Sequence, residues 1–131
     1  TTLFRSQVQA DRPRERLARL AQGYLDYWLD YPERFLIVFL QPDLEPGGTR
    51  RYLESGDIVR RFALFTDTVV AAQAAGELGA GPAEAIAQGL ICAVQGLALN
   101  FITIPDYPWH DRSAVSALVV RSYLAGVPGT S

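Results

Sequence analysis

Side chains able to do covalent or metal chemistry are scarce in this sequence of 131 residues. It contains one histidine, His110, and one cysteine, Cys92. Two such residues cannot form a clustered metal site, and the sequence has neither the Glu-x-x-His pair of di-iron bundles nor a glycine-rich phosphate loop. No nucleophile with a recognisable base is present either. The sequence therefore predicts that the chain is not an enzyme and uses no metal and no cofactor.

The lone cysteine and the first residues of the chain indicate the cellular compartment of the protein. Cys92 cannot form an internal disulfide, and we interpret it as a small buried apolar residue. The opening stretch TTLFRSQVQ lacks a basic start followed by an apolar signal core. Both features favour a cytoplasmic protein.

The charge of the chain argues against nucleic-acid binding by these residues alone. The net charge is −2, and all twelve basic residues are arginine. An absence of lysine beside abundant alanine and glycine indicates G+C-rich, bacterial coding. Because affinity for DNA comes largely from basic contacts to phosphate, we expect no DNA binding by this segment itself.

An aromatic stripe is the surface that could best recognise a ligand. Six aromatic residues fall within residues 24–40, whose sequence is YLDYWLDYPERFLIVFL. Aromatic stripes at helical spacing are mostly core, which is the first interpretation. The second is a pocket wall, because tyrosine and tryptophan carry polar groups that need partners when buried. Both interpretations stay open at this point.

Helical periodicity predicts the elements that carry this aromatic stripe. Apolar residues recur at three- and four-residue steps, prolines and glycines interrupt the pattern, and no segment alternates with period two. Asp111 can cap the last helix. The sequence predicts an all-α bundle of about five to six helices in one domain, 1–131, with helices at about 13–31, 32–41, 50–75, 82–104 and 111–125 and a loop at 41–49.

The fourth predicted helix contains nineteen residues, 86–104, without a charge. We reject a membrane span, because Gln88, Gln95 and Asn100 would each need a partner in hydrocarbon. A helix that is apolar all round must instead be covered on both sides, which predicts a homodimer. The expected four-helix interface uses the last two long helices through small or apolar residues, namely Gly89, Ala93, Gly96, Val115, Leu118 and Val119.

Three segments together resemble a known family. They read RERLARLAQGYLDYWLDYPERFLIVF, AAGELGAGPAEAIAQGLICAVQGLAL and DRSAVSALVVRSYLAGV. They are similar to the C-terminal ligand-binding and dimerisation domain of TetR-type transcriptional regulators. The resemblance implies a pocket in each subunit and a dimer made by the last two helices. A small molecule would then control DNA binding by an N-terminal domain, to which residues 1–10 would lead.

The aromatic stripe supplies a candidate lining for that pocket. Its members come from the first, third and fourth helices and are Tyr24, Trp28, Phe62, Phe65, Thr66, Gln95 and Leu99. No arginine falls on this inward face as assigned from the sequence, so we expect an uncharged or weakly polar, ring-containing effector. The alternatives are a helical homodimeric interaction module without ligand and, with less support, a small helical enzyme.

Overall fold

A computed structural model of the chain describes residues 12–40 and 56–128, and most of these residues are helical. No strand occurs within these two ranges, and the expected all-α class is confirmed. Residues 1–10, the predicted loop 41–49 and the predicted helical turns at 50–55 lie outside the described residues. The helices are α1 (Pro13–Asp30), α2 (Pro32–Phe35) with a π-helical turn (Leu36–Leu40), α3 (Asp57–Ala74), α4 (Ala83–Thr103) and α5 (Arg112–Ala125).

Proline and glycine set most of the helix ends. Pro32 opens α2, and Tyr31 before it leaves helical geometry at φ −127°. Gly56 adopts φ +83° directly before α3, and Gly76, which follows the C-cap residue Ala75, adopts φ +72°. The N–H of Glu77 then donates to the carbonyl of Ala72 at 2.9 Å, which satisfies a carbonyl at the end of α3. These conformations favour glycine and explain why α3 begins and ends where it does.

Side-chain capping defines the start of α5. The Asp111 carboxylate accepts a hydrogen bond from the N–H of Ser113 at 3.0 Å. The predicted cap is therefore confirmed. By contrast, the helix predicted over 32–41 is not a single α-helix, because its second half is a π-helical turn. Phe35 and Phe39 on either side of that change both contact the ring of Trp28.

Helix α4 is the centre of the bundle. It packs against α1, α3 and α5, while α1 also contacts α3 and α5. The residues it buries are spaced three or four apart, as expected for a helix with a core-facing side. They are Ile86, Ala87, Leu90, Ile91, Val94, Leu97, Ala98 and Phe101.

The composition of α4 also fits a membrane span. Within the part of the chain that the structure describes, it is the one helix long and apolar enough to cross a bilayer. Core helices of globular proteins share this composition. In this fold the helix has three packed neighbours, which is the arrangement of a core helix.

Charged residues fasten the start of α1 to the loop that follows α3. The backbone N–H of Arg14 donates to Glu77 Oε1 at 3.1 Å, and the Arg14 guanidinium donates to the Glu77 carbonyl at 3.2 Å. Arg12 lies 4.0 Å from the same carboxylate. Arg121 of α5 reaches Glu15 at 3.3 Å. The first turn of α1 is therefore held to two other parts of the bundle by polar contacts.

A close contact between α4 and α5 depends on Gly89. The Tyr123 hydroxyl lies over this glycine and donates to the Ile86 carbonyl at 2.7 Å. A Cβ on Gly89 would overlap that hydroxyl and lie 2.9 Å from the ring carbon Cζ. The sequence assigned Gly89 to a contact between subunits, whereas the structure shows that it admits a tyrosine of its own chain.

Gly89→Ala should lower the free energy of unfolding by about 1–3 kcal/mol, because the Tyr123 ring must move and lose its hydrogen bond. Chemical denaturation measures the change. The matched control is Gly23→Ala on α1, where a Cβ meets no atom within 4 Å. This control should stabilise the protein by about 0.5–1 kcal/mol through helix propensity. Equal effects of the two substitutions would contradict the assigned contact.

Candidate functional site

Tyr24 is the centre of an aromatic cluster between α1 and α3. Its ring makes edge-to-face contacts with Trp28, Phe62 and Phe65 at centroid distances of 6.1, 6.4 and 5.9 Å. Offset and edge-to-face pairs are the favourable geometries for aromatic rings. Tyr24, Trp28 and Phe65 are 6%, 1% and 1% exposed. These three predicted lining residues are therefore part of the hydrophobic core.

A second set of rings extends the cluster towards α2. Trp28 contacts Tyr27, Phe35 and Phe39 at centroid distances of 5.0, 5.6 and 5.4 Å. Phe35 is 3% exposed. The stripe from residue 24 to residue 39 thus fills the space between α1 and α2 with ring contacts.

One polar group inside the cluster has a defined partner. The Gln95 side-chain amide of α4 donates to the Tyr24 hydroxyl at 2.7 Å. Burial raises the pKa of Tyr24 above its ordinary value, and the hydrogen bond with Gln95 and the nearby charge of Arg61 lower it by less. The sequence placed Tyr24 and Gln95 in the same site, and the structure brings them into direct contact.

A surface groove opens where this cluster meets solvent, and we call it the α1–α3 groove. Its volume is about 310 Å³, at the lower end of the range for small-molecule sites. Tyr24 and Phe65 connect it to the core. The residues that line it are Arg19, Leu20, Gly23, Tyr24, Tyr27, Arg61, Leu64 and Phe65.

Arginine in this groove differs from the sequence-based expectation. Arg61 stacks on the ring of Tyr27, with its guanidinium carbon 4.6 Å from the ring centroid. Arg19 lines the same groove. The expected inward face contains no arginine, but the groove opens at the outer edge between α1 and α3, where exposed residues such as Arg61 reach it. Leu20 lies one helical turn before Tyr24, and Arg61 lies one turn before Phe65. This four-residue spacing could have identified Leu20 and Arg61 as lining residues from the sequence.

The remaining predicted lining residues lie elsewhere. Phe62 and Thr66 line a different groove, between α3 and α4, whose volume is about 400 Å³. The Thr66 hydroxyl donates to the Phe62 carbonyl within its own helix at 3.3 Å. Leu99 follows Gln95 by one turn and is 39% exposed. The predicted site is therefore divided between the core, two grooves and the outer surface.

The predicted dimer residues lie on α4 and α5, which pack against each other. Leu118 is the most exposed of them at 68%, while Gly89, Ala93, Gly96, Val115 and Val119 are half-buried. A Cβ on Gly96 would meet no atom within 4 Å. Cys92, expected to be buried, is exposed. Its neighbours at helical spacing on the outside of α4 are Ala85, Gln88, Gly96 and Leu99, so this outer face carries no charge.

Comparisons with family models, with curated proteins and with solved structures give no match to this chain. In the ranges that the structure describes, no group of three or more metal-ligating side chains occurs. The site therefore offers apolar surface, aromatic rings, one part-buried amide–hydroxyl pair and two arginines.

The buried tyrosine should make stability fall at alkaline pH. The folded-state pKa of Tyr24 lies above the ordinary value of 10.0, so its contribution is fully present below pH 10.0 and is lost as the pH rises through the folded-state pKa. Denaturant unfolding across this pH range should show the loss, and Tyr24→Phe should reduce its slope. Tyr107→Phe, at a ring that is 58% exposed, serves as the control. A Tyr24→Phe slope identical to that of the parent would contradict the assignment.

Proposed function

We propose that this chain is the effector-sensing and dimerisation domain of a TetR-like transcriptional regulator in the cytoplasm. A small apolar or aromatic ligand would control DNA binding by an N-terminal domain outside these 131 residues. The proposal rests on the resemblance described above together with the geometry of the described residues.

The uncharged outer face of α4 is the observation that carries the proposal. The helix has no charged residue after Glu84, although residues such as Cys92 and Leu99 on its outer side are exposed. Leu118 of α5 adds a large exposed apolar side chain. Exposing such an apolar face to water is unfavourable, and the identical face of a second copy would bury it. Pairing through α4 and α5 gives the four-helix interface that the sequence predicts.

The α1–α3 groove supports the sensing part of the proposal. It is lined by both helices, so a ligand bound there can change the distance between them. The first turn of α1 is fastened to Glu77 and, through Glu15, to Arg121 of α5. Movement of α1 would therefore be passed both to its own start and to the proposed dimer helices. A DNA-binding domain attached before α1 would respond to this change.

A ligand-free dimer that acts only through protein contacts is the second candidate. It is favoured by the filled aromatic interior, in which Trp28 and Phe65 are each 1% exposed. In that case the ring cluster serves stability alone, and the α1–α3 groove binds nothing.

Association is the first test of the proposal. The purified chain should have twice the 14.4 kDa mass of one subunit in light scattering at micromolar concentration. Gly96→Leu should weaken the dimer, because the larger side chain meets open space in its own subunit but separates two facing helices. Gly23→Leu on α1 is the matched control and should remain dimeric. A monomeric parent chain would contradict the dimer.

Ligand binding in the α1–α3 groove is the second test. Ring-containing compounds should raise the melting temperature of the parent chain by mass action. Leu64→Glu should abolish this shift, because it places a charge on the apolar groove wall. Val70→Glu is the control, since Val70 lies on the same helix and is also 50% exposed. If a broad panel leaves the melting temperature unchanged, or if both variants respond like the parent, the ligand-free module is favoured.

A further inference from the structure

The α1–α3 groove combines an apolar wall with positive charge. Leu20, Leu64 and Phe65 supply aliphatic and aromatic surface, and Arg19 and Arg61 are the charged residues among the described residues that line it. The complete chain has a net charge of −2. The described lining of the groove therefore has two arginines and no carboxylate, so its charge is opposite in sign to the net charge of the chain.

Arg61 has no carboxylate partner among residues 12–40 and 56–128. The neighbouring Arg60 differs, because it forms an ion pair with Asp57 one turn earlier. Arg61 is instead stacked 4.6 Å from the Tyr27 ring centroid. Stacking leaves the edge of a guanidinium available, and that edge carries its N–H donors.

We infer that the α1–α3 groove binds a small amphipathic carboxylate, with its ring on Leu20, Leu64 and Phe65 and its carboxylate on Arg61. This inference rests on the proposed sensing function and names the ligand class of its site. It replaces the uncharged effector expected from the sequence, because that expectation depended on a site without arginine.

Carboxylate chemistry fits the arrangement of the donors. The planar guanidinium can hold both oxygens of a carboxylate at once, which fixes the orientation of the attached ring. The ring then lies along the wall formed by Leu64 of α3 and Leu20 of α1. A volume of about 310 Å³ suits one small ring system rather than a long chain or a nucleotide.

Calorimetric titration of the intact 131-residue chain with naphthoate and with naphthamide tests this inference. The two probes share a ring system and differ in charge. Naphthoate should bind at least about tenfold more tightly, which corresponds to one charge-assisted hydrogen-bonded contact. Arg61→Gln should remove this preference by weakening naphthoate binding alone. Arg60→Gln, the adjacent arginine outside the groove, should retain it.

Three results would overturn the inference. Equal affinities of the parent chain for the two probes would show a neutral site, and the proposed sensing function would stand. A preference that persists in Arg61→Gln would place the anion on another residue. No measurable binding of either probe would remove this ligand class from the groove. Melting curves serve as the check that each variant is folded, which is expected because Arg61 is exposed. The dimer mass and the Leu64→Glu comparison test the proposed function separately.

Discussion

The burial of an uncharged helix is the constraint on which this structure depends. Helix α4 has no charged side chain from Ala85 to Thr103. Exposing its apolar surface to water is therefore unfavourable on every side. Helices α1, α3 and α5 cover three sides. The buried leucines, valines and isoleucines of α4 then determine which faces of the other helices are apolar. Among residues 12–40 and 56–128, the outer side of α4 has no covering helix, and the proposed dimer would supply one.

Aromatic packing gives the bundle its second fixed region. Tyr24 joins three helices, because its ring contacts Phe65 of α3 and its hydroxyl accepts from Gln95 of α4. A ring packed on several edges has few alternative rotamers, and the hydrogen bond orients it further. The wall that the α1–α3 groove shares with Tyr24 and Phe65 is therefore rigid, whereas its outer residues, Leu64 and Arg61, are exposed. A ligand would therefore contact a preformed inner wall at Tyr24 and Phe65 and adjustable side chains at Leu64 and Arg61.

Helix positions could be predicted from the sequence because local chemistry determines them. Pro32, Gly76 and Asp111 act through backbone geometry and hydrogen bonds within a few residues of themselves. The predicted bounds of α1, α4 and α5 consequently differ from the observed ones by no more than one residue. The π-helical turn after Phe35 was not predicted, because it has no such local signal in proline or glycine.

Contacts between helices were harder to predict, because periodicity identifies a face but not the neighbour of that face. Gly89 was assigned to a second subunit, yet Tyr123 of the same chain lies over it. The ligand site was expected to contain no arginine, yet Arg61 lines the α1–α3 groove beside Tyr27. Leu99 was placed in a pocket and is exposed. In each case the outcome depends on the rotation of one helix against another, which is set by the packing of the complete core.

The two attachments of α1 differ in their physical nature. Its middle and end are held by Tyr24, Trp28 and their ring contacts, which salt leaves unchanged. Its first turn is held by Glu77 and Arg121, whose ion pairs lie at the surface. Surface ion pairs are screened over a Debye length of about 8 Å at physiological ionic strength. Rising salt would therefore weaken the ion pairs at the start of α1, while the part-buried Arg14–Glu77 hydrogen bonds and the ring contacts persist.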